Sequence, residues 1–387
     1  MPMYRKYFTC LYAALLILVS FFNSQAQNTG LIKKRVVDEL LAPSVNEAGI
    51  QQLIKTIQPD GTWPGINYQD VSRTGFQHKD HLDNMLALAR AYKKPGTPLF
   101  TAPAVKQTFS LALDYWLAHD FRCDNWWWNE MGTPNLMINT LLVMDSSLTP
   151  TQRTEGLKIA HRANMETFGA RPGGDLIPIA GMLAKQGLLL GSADTLKKAL
   201  QAMAADIKIS NGRGLQPDMS FHHRTDNVIS TLTYGSNYAS SFAYWAAKIQ
   251  GAGFSFPDAS VKLVTDYFLD GICQSMVYAT YPDPGAMNRD ISRKMPSKQK
   301  ISACPETCCK RPPIVLKNWP MSSAYARVKQ RPNLPGTVTS GIPIIIPMSV
   351  RPIMRLYVCI PPAPIIWKNH TMKKASRTII MGMAPFS

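Results

Sequence analysis

At 387 residues, with roughly 100–200 residues as the usual size of a domain, the chain has material for two or three domains and a large core. A small disulfide-stapled module is excluded. The formal charge of +17 is unevenly spread: residues 295–387 hold 14 Lys and Arg against one acid, Glu306, whereas residues 27–294 hold 26 basic and 24 acidic side chains. The body is therefore near neutral, which excludes a domain-wide cationic field and a nucleic-acid partner.

Arg5 and Lys6 precede an almost continuously apolar run from Phe8 to Phe22, and Ser24-Gln25-Ala26 supplies the small residues that signal peptidase requires. Residues 1–26 are thus expected to be a secretory signal peptide cleaved after Ala26, the apolar run being short for a membrane anchor. The mature chain is expected to be secreted or periplasmic, monomeric and not attached to a membrane. Cys10 leaves with the peptide, and Cys123 and Cys273 are the only cysteines of the body. Their spacing suggests no metal site and permits at most one internal disulfide.

Residues 27–294 read as helical hairpins. From His81 to Tyr92, the residues Leu82, Met85, Leu86, Ala89 and Tyr92 form one stripe at helical spacing, and the run stops at Pro95-Gly96. Thr149-Pro150-Thr151-Gln152 has the pattern of a capping box with proline at the first helical position, opening a helix predicted to end near Gly169. Ser192 can cap a helix over Leu196 to Ile207. Ala239 to Ile249 and Val261 to Tyr278 complete the set, separated by Gly251-Ala252-Gly253 and Pro257-Asp258. Alternating, strand-like runs are nearly absent. Helix pairs with short Gly/Pro turns must stack on one another to bury their apolar faces, so the fold class is all-α, an incomplete α/α toroid.

Four segments between these helices read as loops that carry chemistry. Asp60 to Tyr68 is a polar, aromatic turn. Asn125-Trp126-Trp127-Trp128-Asn129-Glu130 holds three consecutive tryptophans that cannot all face one core from a helix, so at least one is expected to be exposed. Flat aromatic faces flanked by amides suit stacking on sugars and hydrogen bonding to their hydroxyls. The third segment runs from Pro217 through Asp218, His222, His223 and Arg224 to Tyr234-Gly235, and the fourth is Asn288 to Arg293. A histidine, a tyrosine and two arginines suit removal of a carbon-bound proton next to a carboxylate: arginines hold the anion and draw the tyrosine pKa down from its ordinary value of about 10.

Asp60-Gly61-Thr62-Trp63, the Asn-Trp-Trp-Trp-Asn run, the His-containing Asp-x-Ser-Phe loop followed by Tyr-Gly, and Arg-x-x-x-Arg come in the order seen in polysaccharide lyase family 8. That family includes chondroitin, hyaluronate and xanthan lyases, and the resemblance covers about residues 30–294. It implies a helical toroid that binds an acidic polysaccharide of the chondroitin sulfate or hyaluronan type and cuts it by β-elimination. By the same resemblance Tyr234 would take the C5 proton of the uronate and protonate the leaving oxygen, and His223 would assist at that proton. Arg289 and Arg293 would stabilise Tyr234 and bind the chain, and Asn125, Trp126 and Trp127 would form an aromatic platform, with Trp128 beside it. The histidine position falls on Arg224 when counted from the serine, so His222 and His223 both remain candidates. The Asn that follows Gly-Ala in the family is replaced by Arg171, which could pair with a uronate carboxylate bidentately but is no neutral amide.

Residues 295–387 hold 14 of the 29 prolines and four of the seven cysteines. Proline this dense opposes helices and central strands, and the apolar content is high for a solvated linker. Cys304, Cys308 and Cys309 complete no recognised zinc spacing. The segment is expected to be a shifted reading frame, largely unstructured, standing where the family carries β-sheet domains. Ile353 to Ala375, re-read one base earlier with permitted wobble bases, gives an acidic, polar string with Asn-Glu-Glu near its end, resembling the family's segment that holds a catalytic-site glutamate. Weak or no turnover is the expected consequence. No cofactor is identified, and a divalent ion in the replaced segment is left open. Two other classes remain: a toroidal glycoside hydrolase, for which Asp218, Asp226 and Glu130 are the loop acids, and a non-catalytic protein that binds acidic glycans.

Overall fold

The computed structural model describes residues 29–277 and 281–292. The expected signal peptide, the segment 295–387 and Arg293 lie outside the described residues.

Ten α-helices make up most of the described chain: α1 (29–41), α2 (Glu47–Thr56), α3 (His78–Lys93), α4 (Pro103–His119), α5 (Thr133–Met144), α6 (Pro150–Ala160), α7 (Leu176–Leu190), α8 (Ala193–Asp206), α9 (Ser236–Ile249) and α10 (Asp258–Asp266). The local signals read from sequence set several of their starts. Thr149 and Gln152 form a reciprocal capping box with Pro150 in the first turn of α6, and Ser192 Oγ accepts from Thr195 N at the start of α8. The stripe on α3 is buried, with Leu82, Met85 and Ala89 fully inaccessible. Each large apolar side chain so placed contributes about 1.5–3 kcal/mol.

Packing alternates. Helices α3, α5, α7 and α9 contact one another in sequence as an inner row, while α4 lies against α2 and α6 outside it, and α8 backs α7. This is the incomplete α/α toroid. Helix α7 is buried on nearly every side, from Ile177 through Leu189, as a helix at the centre of such a packing must be. Helix α1 runs across one end of the row: Lys33 Nζ meets Asp145 after α5 at 2.6 Å, and Arg35 donates to the carbonyls of Lys248 and Gln250 at the end of α9.

The structure departs from the predicted helix bounds at two places. Helix α6 stops at Ala160, short of Gly169, because Asn164 takes over the local hydrogen bonds: its Nδ2 donates to His161 O at 2.8 Å and its Oδ1 accepts from Glu166 N at 2.9 Å. Helix α10 ends at Asp266 and widens into a π-turn, Tyr267–Ile272, which brings Tyr267 Oη to Thr231 O at 3.2 Å. Strands are few but present, as two antiparallel pairs of two residues each: β1 (Gly214–Leu215) with β2 (Phe221–His222), and β3 (Met276–Val277) with β4 (Tyr281–Pro282).

Candidate active site

A cleft of about 710 Å³ lies among α5, α7 and α9. Its wall repeats every fourth residue, as one face of a helix does: Trp127, Met131 and Asn135 leading into α5, Ile177, Gly181 and Lys185 on α7, and Asn237, Ser241 and Trp245 on α9. A Cβ at Gly181 would stand 2.7 Å from Trp245 Nε1, so the small residue is what allows α7 and α9 to approach here. The cleft takes in Asp175 and Ile177 at the start of α7 and Asn237 in the first turn of α9.

Two segments read as loops are wound into helices. Trp128–Gly132 is a π-turn running straight into α5, and Thr231–Gly235 is a π-turn running into α9. Insertions of this kind re-aim side chains and recur at functional sites. The second carries Tyr234. It is stitched to β2 by Ser230 N to Phe221 O at 2.7 Å and Phe221 N to Thr231 Oγ1 at 3.1 Å. Gly235 admits no side chain, since a Cβ would fall 1.9 Å from Tyr267 Oη.

Tyr234 is half-buried at the cleft edge. Its ring stacks on that of His223 with centroids 3.5 Å apart and planes within 3°. The Arg289 guanidinium donates from Nη2 to Tyr234 Oη. Arg289 is delivered by its neighbour: Asn288, at φ +52°, donates from Nδ2 to Ser230 Oγ at 2.7 Å, tying the 3₁₀ segment Asn288–Ser292 to the foot of the tyrosine turn.

His223 rests against a glycine pair. Its Nδ1 is buried without a hydrogen-bond partner among the described residues, and a Cβ on Gly174 would meet that nitrogen at 2.4 Å. Burial, reinforced by Arg213 and then by Arg289 and Arg171, pushes the His223 pKa down to about 4, so the ring is neutral at ordinary pH. The glycine pair is clamped from below: Gly173 N donates to both carboxylate oxygens of Asp206 at 3.3 Å, and Tyr238 Oη donates to Asp206 O at 2.7 Å. Desolvation raises the Asp206 carboxyl to about 6.

The next residue, Asp175, lines the cleft at the start of α7. Burial pushes its carboxyl upward against the pull of Arg171, Arg289 and Arg213. Sequence reasoning passed over Asp175, Arg213 and Asp206; the signal available was Gly173-Gly174-Asp175 directly before an apolar run, the signature of a helix start.

The remaining expected site residues are distributed as follows. Trp127 is 40% exposed and lines the cleft, in keeping with the expectation that one tryptophan is exposed. Trp126 packs edge-on against Phe168 at 5.4 Å, and Trp128 lies 5.7 Å from Phe76 in the core. Asn125 uses its amide locally, accepting from Trp127 N at 3.2 Å and donating to Arg73 O at 3.4 Å. Arg171 stacks its guanidinium 3.6 Å from the Phe168 ring centroid. His222 pairs through β2 with Gly214 and does not share the Tyr234 stack. Arg224 is exposed in an ion pair with Asp226 at 3.1 Å.

The acids considered for hydrolysis are engaged elsewhere: Glu130 accepts from Gly169 N at 2.9 Å, and Asp218 from Ser220 N at 2.9 Å. The Asp60 turn is a core corner, with Trp63 only 3% exposed and its Nε1 donating to Leu53 O at 3.0 Å. Among the described residues no group of three His, Cys, Asp or Glu is placed to hold a metal ion, and no helix is long and apolar enough to cross a membrane.

Residues 34–306 match the polysaccharide lyase family 8 N-terminal alpha-helical domain. The chain is 25% identical over 293 residues to chondroitinase-AC of Pedobacter heparinus, covering 74% of this chain and 40% of that protein. The fold is similar to a chondroitinase AC lyase solved with oligosaccharides (TM-score 0.64, 23% identity, 69% of this chain and 40% of that one). It is also similar to the Streptomyces coelicolor A3 chondroitin AC lyase in complex with chondroitin sulphate (0.59, 19%, 68% and 38%) and to a Paenibacillus xanthan lyase (0.57, 19%, 71% and 27%). The chain thus spans about two-fifths of the length of the chondroitin lyases it matches. With a family domain matched over most of its length and a similar fold, the chain belongs to polysaccharide lyase family 8.

Proposed function

We propose that this chain is a secreted, monomeric lyase that cuts a uronic-acid-containing polysaccharide by β-elimination, with Tyr234 as the proton carrier. What supports it above all is the hydrogen bond from Arg289 to Tyr234 Oη at the edge of a cleft that can hold sugar rings. An arginine has only donors, so this contact favours the phenolate over the phenol and leaves the oxygen a base.

The chemistry follows from that placement. Tyr234 Oη removes the C5 proton, the C–H electrons become the C4–C5 double bond, and the C4–O bond breaks. The proton then passes from Tyr234 to the departing oxygen, which restores the starting state. The carbanion-like transition state needs cations at the uronate carboxylate: Arg289 lines the cleft, and the charges of Arg171 and Arg213 reach Asp175 on its wall. Neutral His223, stacked on the base, keeps it in place and adds no competing positive charge. Trp127 offers its exposed face to a sugar.

Arg293, beyond the described residues, would join Arg289 in holding the chain. Turnover is proposed to fall below that of intact family members, because residues 295–387 contain a single acid, Glu306. The test is the ultraviolet absorbance of unsaturated uronate ends released from chondroitin sulfate, hyaluronan and xanthan. Binding without any rise in absorbance would select a glycan-binding protein instead, and new reducing ends without absorbance would select a hydrolase.

A further inference from the structure

The cleft does not end at Tyr234. It follows α7 inward to Lys185, about 15 Å along the helix from Asp175 at 1.5 Å per residue. The Lys185 ammonium has a neutral partner, donating to Asn139 Oδ1 at 2.9 Å. An ammonium carries three donors, so two remain for other partners.

The charged and titratable groups that face it do not balance it. From α1 comes Glu39, and that carboxylate is held in an ion pair by Lys248 of α9. Lys248 also donates to Arg35 O at 2.9 Å and lies 5.0 Å from the ring centroid of Tyr244, the remaining titratable group on this wall. Among the described residues no carboxylate stands within 4 Å of Lys185. A cation taken out of water without an ion partner is costly, and burial accordingly pushes the Lys185 pKa down to about 8. Asn237 and Ser241, on the α9 wall of the same cleft, are neutral and polar, as sugar hydroxyls require.

We propose that Lys185, with Asn139 beside it, forms an anion subsite at the inner end of the cleft, taking a sulfate ester or a carboxylate on a sugar unit away from the one cleaved. The subsite rests on the polysaccharide reading of the cleft. An anion there restores the ion partner that the fold withholds and raises the lysine pKa, so affinity must fall as pH rises through and above about 8.

The experiment measures binding of sulfated and unsulfated chondroitin oligosaccharides of equal length by calorimetry, with Lys185→Met and Lys185→Arg. The parent is expected to bind, Lys185→Met to lose about tenfold or more in affinity, and Lys185→Arg to keep most of it. A loss confined to the sulfated ligand assigns the sulfate ester, and an equal loss for both assigns the carboxylate. Lys185→Met replaces a desolvated charge by an apolar chain of similar length, so its melting temperature should hold or rise; a weakened affinity with unchanged melting is the supporting result. Parent-like binding by Lys185→Met overturns the subsite alone, whereas failure of the parent to bind either ligand overturns the polysaccharide reading and the subsite with it.

Discussion

The rings of Tyr234 and His223 lie face to face, 3.5 Å apart, although one is carried on the turn into α9 and the other follows a two-residue strand. The stack holds Tyr234, which lines the cleft, against His223. It also makes the histidine a spacer whose position, more than its charge, sets where the phenol oxygen stands.

Tyr234→Phe keeps the ring, the stack and the packing while removing the oxygen. Product absorbance is expected to fall by about 10²-fold or more, with binding of the polysaccharide retained. Arg289→Met should lower turnover by a similar order while leaving the melting temperature near that of the parent, since the guanidinium is exposed. Lyase activity persisting in Tyr234→Phe would dismiss the phenol as the base.

Gly174→Ala tests the support of His223. Its new methyl would fall 2.4 Å from Nδ1, pushing the imidazole off Tyr234, so turnover should drop at least about tenfold while the helical circular dichroism is unchanged. Gly235→Ala makes the contrast, because its methyl would strike Tyr267 and Phe221 in the core; loss of folded protein is expected there, by overpacking of roughly 1–3 kcal/mol or more. If Gly174→Ala is fully active, the stack plays no part in catalysis.

Asp206 gives a stability prediction with a definite sign. Its folded pKa of about 6 exceeds the unfolded value near 3.8, so the folded state is penalised as pH rises from about 4 through 6, and the penalty is complete above that. Asp206→Asn can still accept from Gly173 N and should raise the unfolding free energy at pH 8 by on the order of 2–3 kcal/mol, with the gain vanishing near pH 4. His81, fully buried with a pKa pushed down to about 4, titrates in the opposite sense over the same range. The difference between variant and parent, followed by thermal melts across pH, is therefore the quantity to measure.

Asp175 lines a cleft proposed to take uronates. Burial raises its carboxyl, so the neutral acid persists above the usual carboxylate range and can donate to the substrate anion, while its ionised form at higher pH repels it. Asp175→Asn is expected to flatten the decline of kcat/KM between weakly acidic and alkaline pH, gaining severalfold at the alkaline end. An unaltered pH profile would show that Asp175 does not face the substrate acid.

The proposed frame shift is settled at the level of the gene. Sequencing genomic DNA across the codons for residues 285–310 is expected to reveal an insertion or deletion relative to lyase genes of the family. An intact frame there would remove that account of the single acid in residues 295–387.

Local chemistry made part of this protein legible before any coordinates. Thr149 with Gln152 and Ser192 with Thr195 act within one turn of helix, and the α3 stripe repeats at a period that only a helix can bury. The tyrosine, the histidines and the arginine were marked by residue type and by an order of motifs that resembles polysaccharide lyase family 8. What sequence could not decide was which of them meet. His223 rather than His222 reaches Tyr234 because His222 is held in β2 by its pairing with Gly214, whereas His223, just past the strand, stacks on the tyrosine ring. Asp175 rather than Arg171 lines the cleft because Gly173 is pinned to Asp206 and α7 starts directly after it. Trp126 packs on Phe168 and Trp128 on Phe76 while Trp127 stays exposed, because consecutive residues of a helical turn point in different directions. Caps and periodicity are settled among neighbours a few residues apart, whereas a cleft among α5, α7 and α9 exists only once the inner row has closed and set residues from Trp127 to Arg289 beside one another.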